Sequence, residues 1–105
     1  MQIIETPIFT QKLKNLLSDD DYRNLQNTII ANPEAGNIIR GSNGLRKIRW
    51  TRQGSGKSGG VRVIYYWLKP KKIIIVLLLY PKNEQDNLTQ EQLKILSNFV
   101  RQEFK

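Results

Sequence analysis

The sequence predicts a small α+β domain in which a mainly antiparallel β-sheet packs against two N-terminal helices and a C-terminal helix. Apolar residues recur at helical spacing in two segments near the N-terminus and in one segment at the C-terminus. Between them lie three runs rich in apolar, β-branched and aromatic residues, joined by short connections. The expected element order is β-α-α-β-β-β-α in a single domain, 1–105, with the helices covering one face of the sheet.

The N-terminal third is expected to hold one strand and two helices. The segment Gln2–Glu5 is short and apolar enough for a first or edge strand. Pro7 suits the first turn of a helix, where its missing N–H costs nothing. Ser18 and Asp21 form a capping pair for the second helix, and neighbouring acids favour the positive end of its dipole. This helix should end just before Pro33, because proline disfavours helical conformation in the residue that precedes it.

Three strands are expected in the remainder of the chain, at 45–52, 61–68 and 73–80. Alternation in the first of these places Lys47 and Arg49 on the same face. The second run is rich in β-branched and aromatic residues. The third is apolar at every position, which is typical of a strand covered on both faces.

Turn signals and a capping box mark the segments between and after these strands. Glycine, proline and asparagine residues predict a loop at 32–44, and proline with three lysines predicts a turn at 69–72. Thr89 should begin the last helix, with Gln92 as its capping-box partner. The apolar stripe of that helix consists of Leu93, Leu96, Val100 and Phe104.

The positive charge is confined to the middle of the chain. The net charge is +8, yet residues 40–82 hold eleven Lys and Arg and no Asp or Glu, while the rest holds six bases and nine acids. A run of like charges destabilises a folded protein by self-repulsion, and a polyanionic ligand would relieve it. On the expected sheet, Lys47, Arg49 and Arg62 would lie on one open surface. This distribution favours contact with nucleic acid over a merely solvated face.

Composition excludes several classes of function. The chain has no cysteine and no histidine, so disulfide scaffolds, thiolate metal sites and imidazole-based catalysis are ruled out. The longest apolar run, 73–80, has eight residues, far short of the roughly 20 that a membrane-spanning helix needs. The N-terminus has no basic segment leading into a long apolar stretch. We therefore expect a cytoplasmic protein with no membrane contact, no metal and no cofactor.

A glycine-rich connection at 53–60 superficially resembles a phosphate-binding loop. The Walker pattern requires a glycine at the position that Thr51 occupies, and the loop leads into a strand where the phosphate cradle needs a helix. Nucleoside triphosphate binding is therefore not expected. Two interpretations remain: a flexible hairpin loop, or a mobile arm that places Lys57 against an RNA backbone.

Catalysis by this chain would have to use lysine, arginine, tyrosine or an isolated carboxylate. The acids nearest to the basic region are Glu84 and Asp86, just after the last strand, of which Glu84 is a marginal candidate. RNA cleavage is compatible with this inventory, because the nucleophile is the 2′-hydroxyl of the RNA itself. The protein then needs to position it, accept a proton and stabilise the phosphorane charge. A lysine crowded by other cations can act as general base nearer neutral pH.

Three segments together resemble the HigB branch of the RelE-type bacterial toxins. They are Gly44-Leu45-Arg46-Lys47-Ile48-Arg49, the glycine-rich loop 54–60, and Val61-Arg62-Val63-Ile64-Tyr65-Tyr66; Tyr80-Pro81-Lys82-Asn83-Glu84 before the last helix extends the likeness. The resemblance implies the RelE-like fold. It also implies a toxin of a toxin–antitoxin pair that cleaves mRNA in the ribosomal A site.

The resemblance also implies roles for individual residues. Lys47 and Arg49 match the basic strand pair that serves proton transfer and phosphate contact, and Arg62 matches the arginine that holds the scissile phosphate. Lys82 matches a basic position after the last strand. RelE has an arginine where this chain has Asn83 and a tyrosine near Thr89, so Tyr80 and Glu84 stay candidates for proton transfer.

Further basic residues are candidates for RNA binding, and other functions stay open. These candidates are Arg46, Arg52, Lys57, Lys69 and Lys71. The expected partners are mRNA, the ribosome and an acidic helix-turn-helix antitoxin similar to HigA, with operator DNA contacted through the antitoxin alone. The alternatives are a noncatalytic nucleic-acid-binding module and an inactive toxin relative that only binds its antitoxin.

Overall fold

The computed structural model describes residues 1–51 and 60–104. These residues form five strands, three α-helices and one short 3-10 helix. In order they are β1 (Gln2–Glu5), α1 (Pro7–Leu16), α2 (Asp19–Ala31), β2 (Asn37–Ile38), β3 (Leu45–Thr51), β4 (Gly60–Leu68), the 3-10 helix (Lys69–Lys71), β5 (Ile73–Pro81) and α3 (Gln90–Phe104).

The strands form one sheet in the order β1-β5-β4-β3-β2. All neighbours are antiparallel except β1 and β5, which run parallel. The predicted α+β class, the mainly antiparallel sheet and the three helices are thus confirmed. The short β2 lies inside the segment predicted as a loop. The chain before β2 is held against the sheet by Tyr65. The Tyr65 hydroxyl accepts a hydrogen bond from Gly36 N (2.8 Å) and donates one to Pro33 O (2.8 Å).

Helices cover both faces of the sheet, so the expectation of cover on one face is wrong. On one face, Phe9 of α1 and Leu25 of α2 are buried with Val61, Val63 and other alternate residues of β4 and β5. On the opposite face, a second cluster joins Val100 of α3 to the strands. The physical reason lies in β5, which is buried from residue 74 to residue 80 and needs apolar cover on both sides.

The three helix starts follow the predicted capping chemistry. Pro7 occupies the first turn of α1 after the N-cap Thr6. The Ser18 hydroxyl accepts a hydrogen bond from Asp21 N (3.0 Å) at the start of α2. The predicted Thr89–Gln92 box is complete, with reciprocal side-chain-to-backbone hydrogen bonds of 3.0 and 3.1 Å. Each cap satisfies backbone N–H groups that the helix itself cannot pair.

A β-bulge between β4 and β5 decides which residues face each other near the end of the sheet. Tyr65 pairs with Val76 and Ile64 with Leu78, so β5 carries one additional residue at this point. Beyond the bulge, Arg62 pairs with Tyr80. An uninterrupted register would place an apolar leucine opposite Arg62 instead. The bulge therefore brings a phenol next to a guanidinium.

Across 1–51 and 60–104, no helix is long and apolar enough to span a bilayer. In the same part of the chain, no group of three or more acidic residues is close enough together to hold a metal ion.

Candidate active site

Three cations from two neighbouring strands lie on one face of the sheet and are called the cationic cluster below: Lys47 and Arg49 of β3, and Arg62 of β4. Arg49 is directly opposite Arg62 in the antiparallel ladder, and Lys47 lies two residues further along the same face. Tyr80 joins them from β5 as the cross-strand partner of Arg62. The strand register thus places Lys47, Arg49 and Arg62 on one face of the sheet, as predicted. Like charges directly opposite each other are destabilising, so this arrangement favours a bound anion.

The connection between β5 and α3 supplies a carboxylate to the cluster. Arg62 donates two hydrogen bonds to Asp86 Oδ1, from Nε at 3.1 Å and from Nη2 at 2.9 Å. The side chain of Arg62 is 6 % exposed, whereas that of Asp86 is 55 % exposed. A buried guanidinium without a partner is strongly destabilising. Asp86 therefore forms an ion pair with Arg62 from the solvent side.

Two more hydrogen bonds attach the same connection to the sheet. Lys47 Nζ donates to Asn87 Oδ1 at 2.7 Å and lies 3.5 Å from Asp86 O. The Tyr80 hydroxyl donates to Asp86 O at 3.3 Å. Side chains from β3, β4 and β5 thus all contact residues 86–87, which fixes the Asp86 carboxylate over the cluster.

The charges of the site set the protonation states of its acidic groups. The hydrogen bonds from Arg62, aided by the charges of Arg62, Lys47 and Arg49, hold the pKa of Asp86 below its usual value. Burial raises the pKa of Tyr80, an effect that Arg62 reduces and Asp86 strengthens. At neutral pH the site therefore contains an ionised carboxylate among three cations, and a phenol that keeps its proton.

Arg49 is the exposed member of the cationic cluster, and an open groove of about 590 Å³ adjoins it. The lining of this groove combines the polar residues Lys47, Arg49 and Asn87 with the apolar residues Ile38 and Ile39. Its size falls within the range of small-molecule binding sites. The groove thus presents positive charge beside apolar side chains.

Lys82 and Glu84 lie at the same end of the sheet as Arg62. Lys82 N donates to Gly60 O (2.9 Å), which places Lys82 beside the start of β4, and Glu84 N donates to Pro81 O (3.1 Å) in the following turn. Both residues are exposed. Their backbone lies at the chain reversal after β5, beside the start of β4.

Within the described residues, the other RNA-binding candidates, Arg46, Lys69 and Lys71, do not join the cluster. Arg46 points its guanidinium at Gly36 O (2.7 Å) and Glu34 Oε2 (3.3 Å), so it holds the loop before β2. Lys69 and Lys71 lie in the 3-10 helix at the opposite end of β4. Because a strand rises about 3.3 Å per residue, they are roughly 20 Å from Arg62. Arg52, Lys57 and the glycine-rich connection before Gly60 are outside the described residues.

Asp86 and Asn87 are the site residues that sequence reasoning missed. Asp86 is recognisable in the sequence as an acid just after the last strand, with nothing in its spacing to link it to Arg62. One signal could have found it. Because β5 runs antiparallel to β4, the segment that follows β5 must begin beside the start of β4, where Arg62 lies.

Comparison with known proteins agrees with this fold. The solved structure of a mutant of the E. coli toxin RelE in the free state is similar, with a TM-score of 0.57 and 18 % sequence identity. The similarity covers 80 % of this chain and 85 % of that chain. At this identity it establishes a shared fold.

A family model establishes the relationship at the level of sequence. The model described as the RelE toxin of the RelE/RelB toxin–antitoxin system matches residues 1–104. The match takes in all the strands and helices of the described residues, including those that carry the cationic cluster. This chain therefore belongs to the RelE toxin family of the RelE/RelB toxin–antitoxin system.

Proposed function

We propose that this protein is the toxin of a toxin–antitoxin pair and acts as a ribosome-dependent endoribonuclease that cleaves mRNA in the A site. The observation that carries the proposal is the cationic cluster with an ionised carboxylate fixed over it by Arg62. Such a site combines electrostatic stabilisation of phosphate charge with a group able to accept a proton. Family membership supplies the toxin context.

The reaction that suits this site is attack of the RNA 2′-hydroxyl on the adjacent phosphorus. It requires an aligned nucleophile, proton transfer and cations around the phosphorane oxygens. Arg49 is exposed and presents a planar fork that suits two phosphate oxygens, while Lys47 adds a second positive charge beside it. Lys82 borders the site and extends the positive surface. None of these steps needs a metal ion or a cofactor.

The role of Arg62 in this proposal follows from its burial. The resemblance to RelE-type toxins assigns it to the scissile phosphate, but its Nε and Nη2 face Asp86 and its side chain is 6 % exposed. We therefore assign the direct phosphate contacts to Arg49 and Lys47. Arg62 contributes its charge from beneath Asp86. Tyr80, with a raised pKa, serves as a hydrogen-bond donor.

The partners follow from the family and from the charge. The family implies a cognate antitoxin. We propose that this chain belongs to the HigB branch and that its antitoxin is a helix-turn-helix protein similar to HigA, acidic enough to cover the cationic cluster. In this scheme operator DNA is contacted through the antitoxin. We also propose a cytoplasmic location, since the proposed substrate is ribosome-bound mRNA.

Growth and mRNA integrity test the proposal directly. Induction of the wild-type protein without antitoxin is expected to stop growth and to cut mRNAs that ribosomes are translating, with cut ends inside codons. Arg49→Ala should restore growth and leave mRNA intact, whereas Arg23→Ala should behave as wild type, since Arg23 is an exposed residue of α2. Unimpaired growth with intact message on wild-type induction would contradict the proposal.

A further inference from the structure

We propose that Asp86 is the general base of the reaction, accepting the proton of the RNA 2′-hydroxyl. This inference rests on the proposed function and assigns the proton-accepting step to a carboxylate of the site. The position of one carboxylate relative to Arg62, Lys47, Arg49 and Tyr80 supports it.

Few groups in the site can accept a proton. An arginine guanidinium is not deprotonated in proteins, which removes Arg49 and Arg62 as bases. Lys47 donates to Asn87 Oδ1 at 2.7 Å and is assigned to the phosphate, and both roles require the protonated amine. Tyr80 also acts as a donor, to Asp86 O. Within 1–51 and 60–104, Asp86 is the one carboxylate that hydrogen-bonds to the cationic cluster.

The Asp86 carboxylate is held in place and yet open to solvent. Both hydrogen bonds from Arg62 end on Oδ1, and the donor is buried in the sheet, so the position of the carboxyl group is fixed by a rigid element. The Asp86 side chain is nonetheless 55 % exposed. An acceptor that is held on one oxygen and open to solvent can approach a hydroxyl group on a bound RNA strand.

The strength of Asp86 as a base depends on the charges around it. Among the described residues, the groups that face Asp86 are Lys47 and Arg49 from β3, Arg62 from β4 and Tyr80 from β5. The three cations lower the affinity of Asp86 for a proton in the free protein. A phosphate bound beside Lys47 and Arg49 opposes their charge, which moves the pKa of Asp86 back toward that of an ordinary carboxyl group. Substrate binding thus strengthens the base when it is needed.

The proposed step balances as a transesterification. The proton leaves the 2′-hydroxyl for Asp86 Oδ2 as the 2′-oxygen forms a bond to phosphorus. The bond between phosphorus and the 5′-oxygen breaks, and that oxygen takes up a proton from water. The products are a 2′,3′-cyclic phosphate and a 5′-hydroxyl, and Asp86 returns its proton to solvent.

Single-turnover cleavage of mRNA on programmed ribosomes, with saturating toxin, tests this assignment. Asp86→Asn keeps an acceptor oxygen for Arg62 but has no basic carboxylate, so we expect cleavage roughly 100-fold slower or worse, with ribosome affinity unchanged within about threefold. Asp86→Glu should recover part of the rate, because it restores a carboxylate. The acid limb of the wild-type pH–rate profile should be missing in Asp86→Asn. Glu91→Gln, which removes an exposed carboxylate of α3, is the matched control.

Two results would overturn the assignment. If Asp86→Asn cleaves at the wild-type rate or faster, Asp86 is a competitor of the phosphate for Arg62. If Glu84→Gln loses cleavage while Asp86→Asn keeps it, the base is Glu84. Thermal melting of each variant identifies loss of folding, and the wild-type pH profile together with Asp86→Glu then decides the question. A wild-type protein that leaves mRNA intact would contradict the proposed function itself, whereas the first two results contradict this inference alone.

Discussion

Asp86 accepts two hydrogen bonds from Arg62 on a single carboxylate oxygen, at 3.1 Å from Nε and 2.9 Å from Nη2. The two residues are 24 positions apart in sequence and belong to different parts of the fold, one to a sheet strand and the other to the connection before α3. This pair both holds the β5–α3 connection against the sheet and sets the charge of the site. A change at Asp86 should therefore affect the stability of the protein as well as its activity, and each can be measured on its own.

The first prediction concerns pH. Folding lowers the pKa of Asp86, so its ionisation contributes stability above the unfolded pKa, and this contribution is lost as the pH falls through the folded value. Wild type should therefore melt at a higher temperature than Asp86→Asn at about pH 6, and the difference should shrink as the pH falls below about 4. Thermal melts followed by circular dichroism check this. A difference that grows toward low pH would refute the electrostatic account of the pair.

The second prediction separates activity from folding at Arg49. Because Arg49 is exposed, Arg49→Ala should leave the melting temperature within about 2 °C of wild type. Loss of one cation aimed at the phosphorane should slow single-turnover cleavage roughly 100-fold. Arg23→Ala carries the same change of charge on α2 and serves as control. Equal rates for the two variants would show that Arg49 does not contact the reacting phosphate.

The third prediction concerns binding, measured as the salt dependence of affinity for single-stranded RNA. Each phosphate contact contributes a slope of about −0.7 to the plot of log affinity against log salt concentration. Arg49→Ala should make the slope shallower by about 0.7 and weaken binding at low salt. An unchanged slope would place the phosphate contact elsewhere. Salt-sensitive binding that never cuts ribosome-engaged mRNA would favour a noncatalytic module.

The fourth prediction concerns the fold alone. Tyr65 is fully buried, and its hydroxyl bonds to Gly36 N and Pro33 O. Tyr65→Phe leaves both backbone groups without that partner, so the free energy of unfolding should fall by about 1–3 kcal/mol. Urea denaturation measures this change. A neutral effect would mean that the chain before β2 holds its position without the tyrosine.

Local chemistry explains why most elements could be predicted from sequence. Each helix cap joins residues that are only three positions apart, so it can be recognised from the sequence. This applies to Ser18 with Asp21 and to Thr89 with Gln92. Strand alternation likewise predicts that Lys47 and Arg49 share one face, and the register of β3 against β4 agrees. These features depend on neighbours in the chain and on a fixed period.

The features that escaped prediction depend on distant contacts. β2 has two residues and forms against β3 in a segment that Tyr65 holds from 29 positions away in sequence. The helix α3 packs on the second face of the sheet. The spacing of its apolar residues predicts an apolar side of the helix and does not determine which face of the sheet that side contacts. The entry of Asp86 into the site requires both the direction of β5 and the bulge that sets its register. No local pattern records any of these.

The most direct test of the central claim is the chemistry of the fragment ends. Wild-type protein is added to a cell-free translation reaction, and the fragments of the translated mRNA are examined at both new termini. We expect a 2′,3′-cyclic phosphate on the upstream fragment and a 5′-hydroxyl on the downstream fragment, with no cleavage when ribosomes are kept off the message. A 5′-phosphate on the downstream fragment, or a message that stays intact during translation, would contradict the account.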